Sequence, residues 1–287
     1  MNFGISSFFL ANEAPRVYVT DEALGRDLYV ELSNTFPAVE MKERMGNGFF
    51  SEIDSARHRA DFDRVLKSRP EWKQLYRAVS RSKFKEELLH HFKQDLELIR
   101  GSKGLARVTP QNTEVKCSFH MSRRGYLLSP HTDTGKKMIT IVIYFGDSSN
   151  EMVGAGTRFY QANDPVKGRE FMVSLIDNDD RLELDRPYGV VGAGVGRVYE
   201  SQDRTPEVDS EIRRFDSLHK CTFESRFQGN RAVLFIKSNY SWHDVRLDTL
   251  PEGVMRQSFV INFSLSSSAS PNPFRRFVRA LNQRIGI

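Results

Sequence analysis

His131 and Asp133 stand two residues apart in the run Ser129-Pro130-His131-Thr132-Asp133. Side chains two apart in an extended strand point to the same face, so both can reach one ion. A third donor, His243, lies far along the chain. Two imidazoles and one carboxylate on one side of a divalent metal leave its other positions open, a donor set suited to ferrous iron and oxygen chemistry. A His-X-Asp pair alone is a common chance pattern, and a solvated turn accounts for it equally well. The surrounding elements decide between the two.

Pro130 favours an extended approach to the pair, Gly135 permits a turn after it, and an apolar strand follows at 138–145. A second strand at 231–236 leads through a polar turn at 237–242 to His243. Arg256 then heads another apolar strand, and an arginine turned inward there needs a carboxylate partner. Ser258 shares its face. Arg246 is the rival cation; Arg256 is preferred because it opens a clear strand.

Short β runs at 115–119, 138–145, 169–175, 231–236 and 258–265, separated by Gly, Asn, Asp and Pro, predict an antiparallel sandwich or barrel. Residues 1–107 read instead as a helical layer. Phe84, Leu88, Phe92, Leu96 and Ile99 recur at three- and four-residue steps, and segments 21–36 and 61–79 are similar, with Pro70 starting a helix near Glu71. The fold class expected is therefore α+β: an all-β core at 108–268 with flanking helices, within one domain spanning 1–287.

The stretch 177–213, rich in Asp, Arg, Gly and Glu, is expected to be an insertion or lid. Inside it, Gly192, Gly194 and Gly196 lack the helix that a dinucleotide fingerprint requires, and they are read as a turn. At 269–287, Phe274, Phe277, Val278, Leu281 and Ile285 share a helical face ringed by Arg275, Arg276, Arg279 and Arg284. This predicts an amphipathic helix docked on its own domain, with peripheral membrane contact as the alternative.

Composition is that of an ordinary soluble chain, 39% hydrophobic and 28% charged, with 21 Phe available for a core. The longest apolar run is too short to span a bilayer and the start lacks a signal pattern, so cytoplasmic residence is expected, with membrane association through the terminal helix as the variant. Cys117 and Cys221 form no CxxC pair, which excludes a zinc knuckle or disulfide framework and predicts core or near-core thiols. A formal charge of +5 is weak evidence for nucleic acid and tilts the expectation slightly toward an anionic substrate. Arg123 and Arg124 lead into the metal motif, where they are as readily a solvated pair as contacts to such a substrate. His58, His90, His91, His120 and His219 have no paired spacing that demands metal and are read as surface or capped core residues. Trp242 is read as packing.

The order of these residues, His-X-Asp, a strand bearing Thr140 and Tyr144, a distal His243 and Arg256 heading the next strand, resembles the iron(II)- and 2-oxoglutarate-dependent dioxygenases, in particular their prolyl-hydroxylase-like branch. The resemblance covers about residues 115–265. It implies a double-stranded β-helix (jelly-roll, cupin-like) core, with His131, Asp133 and His243 as iron ligands. It implies Arg256 on the distal carboxylate of 2-oxoglutarate, assisted by Tyr144, with Thr140 and Ser258 as candidates for its keto-acid end. The branch often carries a tyrosine where this chain has Met121. The implied reaction takes Fe(2+), 2-oxoglutarate and O2, with ascorbate as reductant in vitro, hydroxylates a substrate C–H bond, and releases succinate and CO2 with no separate protein acid or base. The substrate is left open among a small metabolite, a saccharide or lipid head group and a protein side chain. A non-catalytic jelly-roll module that binds metal or sugar, and a nucleic-acid demethylating dioxygenase, are the alternatives.

Overall fold

The computed structural model describes residues 3–46, 48–106, 108–133, 136–146, 152–175 and 205–266. From Thr113 onward the chain alternates between two antiparallel sheets. Strands β4 (Thr113–Ser122), β6 (Lys137–Phe145), β9 (Ala232–Ile236) and β11 (Arg256–Leu265) go to one sheet. Strands β5 (Leu127–His131), β7 (Arg158–Ala162), β8 (His219–Glu224) and β10 (Trp242–Arg246) go to the other. The smaller sheet has the order β5-β10-β7-β8, and the centre of the larger one runs β9-β6-β11-β4. Eight strands shared between two sheets in this way make a jelly roll, the double-stranded β-helix expected from sequence.

The N-terminal third does more than form a helical layer. Strands β1 (Phe9–Asn12) and β2 (Val17–Thr20) extend the large sheet beyond β9, and β3 (Phe50–Asp54) extends it beyond β4 to seven strands. Six helices cover its outer face: α1 (Arg26–Asn34), α2 (Ala38–Met45), α3 (Arg59–Ser68), α4 (Pro70–Ser80), α5 (Ser82–His91) and α6 (Lys93–Leu105). Pro70 is the first residue of α4, where its missing N–H costs nothing. The apolar line from Phe84 to Ile99 breaks at Phe92 into α5 and α6, with Leu88, Phe92, Leu96 and Ile99 buried.

Strand β6 shows why the large sheet sits between two layers. Ile139, Ile141, Ile143 and Phe145 join the cluster under the helices, whereas Val142 and Tyr144 join the cluster between the sheets. Trp72 of α4 locks the helices on, its ring centroid 4.7 Å from Phe119, 5.1 Å from Phe145 and 5.1 Å from Phe259.

Three expectations need correction. The run 169–175 is helical up to its last residue: 169–174 lie in α7 (Pro165–Ser174) and Leu175 caps its end, while Asp164 accepts from the N–H groups of Val166 and Lys167 and Pro165 opens the first turn. That cap outweighs the β-like composition of the run. Cys117 is buried, but Cys221 is exposed on β8, at the edge of the small sheet. Of the presumed insertion, 177–204 lie outside the described residues, while 205–213 lead into α8 (Pro206–Leu218), capped by Thr205 and packed outside the small sheet. Gly192, Gly194, Gly196 and the terminal segment 269–287 also lie outside the described residues. No helix among the described residues is long and apolar enough to cross a membrane.

Candidate metal centre and co-substrate pocket

Strands β5 and β10 pair antiparallel, and their register sets His131 directly opposite His243, with ring centroids 4.2 Å apart. Asp133 follows just past the end of β5. One donor atom from each of the three residues lies within 4.8 Å of the others, and all three side chains are buried. In both histidines Nδ1 is 2.9 Å from the carbonyl oxygen two residues earlier, that of Ser129 or of Ser241. A carbonyl only accepts, so Nδ1 carries the proton and Nε2 keeps its lone pair for a metal.

Asp133 receives the Lys137 ammonium on Oδ1 at 2.6 Å, and Thr140 approaches Oδ2 at 3.5 Å. Burial pushes this carboxyl up, but the Lys137 ammonium beside it outweighs that and holds the group well below the usual carboxylate range. Burial pushes the His243 imidazole down despite the opposing pull of Asp133. Both directions leave Asp133 a carboxylate and His243 a neutral imidazole, the forms that bind metal. The donor set, its convergence and its fixed tautomers fit a divalent ion with open positions.

The same cavity, about 580 Å³, reaches Thr140, Thr157, Arg256 and Ser258. Arg256 is only 4% exposed, yet no carboxylate pairs with it among the described residues. Its Nε donates to the Ala155 carbonyl at 2.9 Å, Nη2 lies 3.4 Å from Thr157 Oγ1, and the guanidinium sits 5.0 Å from the Tyr144 ring centre. A charge so buried requires an anion from outside. Two strand positions on, Ser258 presents a fully buried hydroxyl that has no hydrogen-bond partner among the described residues. Guanidinium, orphan hydroxyl and metal triad around one cavity fit a small dicarboxylate that also chelates metal.

Tyr144 stands behind Arg256, since its hydroxyl is taken up by Ser225 Oγ at 2.6 Å and Thr157 Oγ1 at 3.0 Å. Thr157, Ser225 and Lys137 escaped the sequence reading: nothing in the spacing of the chain marks a hydroxyl or ammonium that matters through a partner far away. Met121 faces the helices, so its position offers the cavity nothing. A tyrosine does line the cavity, Tyr126, stacked on Phe50 at 4.7 Å. His120, read as a surface or capped core residue, lines it too.

Arg246 is settled by its partners. It points out of the small sheet to Asp216 at 2.7 Å and Asp244 at 2.7 Å. Asp244, the residue after His243, also accepts from Arg158 Nε at 2.9 Å and the Tyr160 hydroxyl at 2.9 Å. These five side chains clamp the outer face of β10. Trp242 packs on that side against Phe215 and His219, away from the triad. Arg124 is exposed and Arg123 lies over the Phe49 ring.

No family model matches the chain, and no curated protein matches it. Solved structures do. The chain is similar to EvdO2 from Micromonospora carbonacea var. aurantiaca complexed with 2-oxoglutarate, at 12% identity over 90% of each chain with a TM-score of 0.41. A prolyl hydroxylase from Trichoplax adhaerens, in complex with a hypoxia inducible factor peptide fragment, aligns over 90% of this chain and 86% of its own at 11% identity, TM-score 0.42. HygX from Streptomyces hygroscopicus, with nickel and 2-oxoglutarate bound, aligns over 88% and 83% at 9% identity, TM-score 0.44.

Proposed function

We propose that this protein is an iron(II)- and 2-oxoglutarate-dependent dioxygenase that hydroxylates a C–H bond of a separate substrate and releases succinate and CO2. The observation that carries this reading is Arg256: a buried guanidinium with no carboxylate of its own among the described residues, opening onto the cavity that holds the three candidate metal donors. A binding module with a structural metal has no need of either the open metal face or the unmatched cation.

His131 and His243 would hold the iron through Nε2 and Asp133 through one carboxylate oxygen, the other being engaged by Lys137. Arg256 binds and orients the distal carboxylate of the co-substrate; Thr157 and the Tyr144 ring fix the guanidinium plane. Ser258 offers its hydroxyl along the same path, and Thr140 stands beside the metal carboxylate. Phe159 and Phe235, with ring centroids 5.9 Å and 4.6 Å from His243, keep water from the back of the ligand. Iron with 2-oxoglutarate supplies the oxidising power when bound, and the chain supplies position and exclusion.

The test is an anaerobic titration of the iron(II)-loaded protein with 2-oxoglutarate. A visible metal-to-ligand charge-transfer band, lost in His131→Ala and weakened in Arg256→Ala, is the expected result, followed by succinate formation once oxygen is admitted. A protein that takes up iron but develops no band would remove the co-substrate from the reading.

A further inference from the structure

The cavity continues past the triad and Arg256, across β11 and β4 to β3, because one face of these strands is turned toward it. Register places Ser258 beside His120 and His120 beside Glu52; on the next rung Val260, Ser118 and Asp54 follow the same order. With strands about 4.8 Å apart, Glu52 lies roughly two strand spacings from the orphan Ser258 hydroxyl. His120 Nε2 is 3.0 Å from Glu52 Oε1 and 2.8 Å from Ser118 Oγ. Arg57 donates to both Glu52 oxygens, at 2.6 and 2.5 Å. The other ring nitrogen of His120 has no partner among the described residues, and Phe50 meets the imidazole edge-on at 5.3 Å.

Charge on this shelf is locally engaged. Glu52 is matched by Arg57, and at the metal end Asp133 is matched by Lys137. Arg256, with which no carboxylate pairs among the described residues, lies at the co-substrate end. Beside His120 the groups left to a substrate are hydrogen-bonding ones. Hydrogen-bonding groups beside an aromatic ring suit a neutral, hydroxyl-bearing ring.

We propose that Glu52, His120 and Ser118 form a recognition shelf for substrate hydroxyls, and that the substrate is a neutral, hydroxyl-rich molecule of the saccharide class. Glu52 fixes the His120 ring, His120 and Ser118 meet the hydroxyls, and Phe50 receives the apolar face. The shelf's role in turnover rests on the dioxygenase reading; its ligand class does not, and binding alone can test it.

The experiment records the histidine ring signals of the full-length zinc(II)-loaded protein, with saturating 2-oxoglutarate to engage Arg256, by proton–nitrogen NMR during titration with D-glucose, D-glucosamine and D-glucose 6-phosphate. His120→Gln assigns the signal. D-Glucose is expected to move the His120 resonance, with neither charged analogue binding more than about tenfold tighter. Glu52→Gln, which keeps the shape but loosens the ring, is expected to weaken the shift. A charged sugar preferred by more than about tenfold overturns the neutral class. So does a His120 resonance that none of the three moves, or glucose binding that persists undiminished in His120→Gln. If the charge-transfer band forms but His120 stays silent, the shelf falls and the dioxygenase reading stands; the reverse outcome leaves a sugar site without the chemistry.

Discussion

His131 and His243 face each other across the β5–β10 pair, and each imidazole is anchored by the carbonyl oxygen two residues before it, at 2.9 Å in both cases. The anchors are backbone atoms of the strand or turn that carries the ligand, so the donors are aimed before metal arrives. His131→Ala or His243→Ala is therefore expected to abolish iron(II) binding in calorimetry while leaving the far-ultraviolet circular dichroism unchanged. Retention of wild-type affinity in either variant would take the site apart.

Arg256 gives a separable result. Truncating one partner of a buried, hydrogen-bonded charge pair costs about 2–5 kcal/mol, so Arg256→Ala should weaken 2-oxoglutarate binding by about 30-fold or more. Iron affinity in the absence of co-substrate should stay at the wild-type value, because the guanidinium touches no metal ligand. Titration of the charge-transfer band measures the first quantity and calorimetry the second.

Lys137 holds Oδ1 of Asp133 at 2.6 Å. Partners of metal ligands typically contribute 10–100-fold in affinity, and Lys137→Met is expected to lose about that much iron affinity. Competition with a coloured chelator reads the change directly.

Stability should carry a signature from His219, whose ring stacks on Phe215 at 4.1 Å with Nδ1 3.1 Å from the Phe215 carbonyl. Burial pushes this imidazole below its ordinary 6.5. The unfolded chain therefore takes up a proton first, and stability falls as pH drops below about 6.5, levelling once the folded ring also protonates. The urea midpoint of wild type should fall relative to that of His219→Phe as pH drops from 7 toward 5; a constant difference would deny His219 this role.

Trp72 joins the helical layer to the large sheet through Phe119, Phe145 and Phe259. Trp72→Ala should cost about 3–5 kcal/mol of unfolding free energy, read from urea denaturation. Iron affinity at low denaturant should change little, since the triad sits on the other side of that sheet.

The core strands were readable because apolar runs such as 138–145 are bounded by turn residues, and the convergence of the candidate donors in part because a two-residue spacing survives folding unchanged. Residues 169–175 misled because an apolar run of that length fits helix and strand alike, and the deciding signal lay just upstream, in Asp164-Pro165. His120 was passed over because its partner, Glu52, comes from a strand of the supposed helical third. Thr157 and Ser225 were invisible for a related reason: each acts through Tyr144 and Arg256, and no local pattern encodes which distant hydroxyl will meet a given side chain.

His243 and Asp244 are chain neighbours that the pleat turns to opposite sides, one toward the cavity and the other into the Arg158–Arg246–Tyr160 clamp. Slippage of β10 by one residue would exchange them, presenting a carboxylate to the cavity and stranding an imidazole among arginines. Three polar partners on the outside of the barrel thus act as a register lock for a donor on its inside, and variation at Arg158 or Arg246 can displace His243 from the donor triad without touching it.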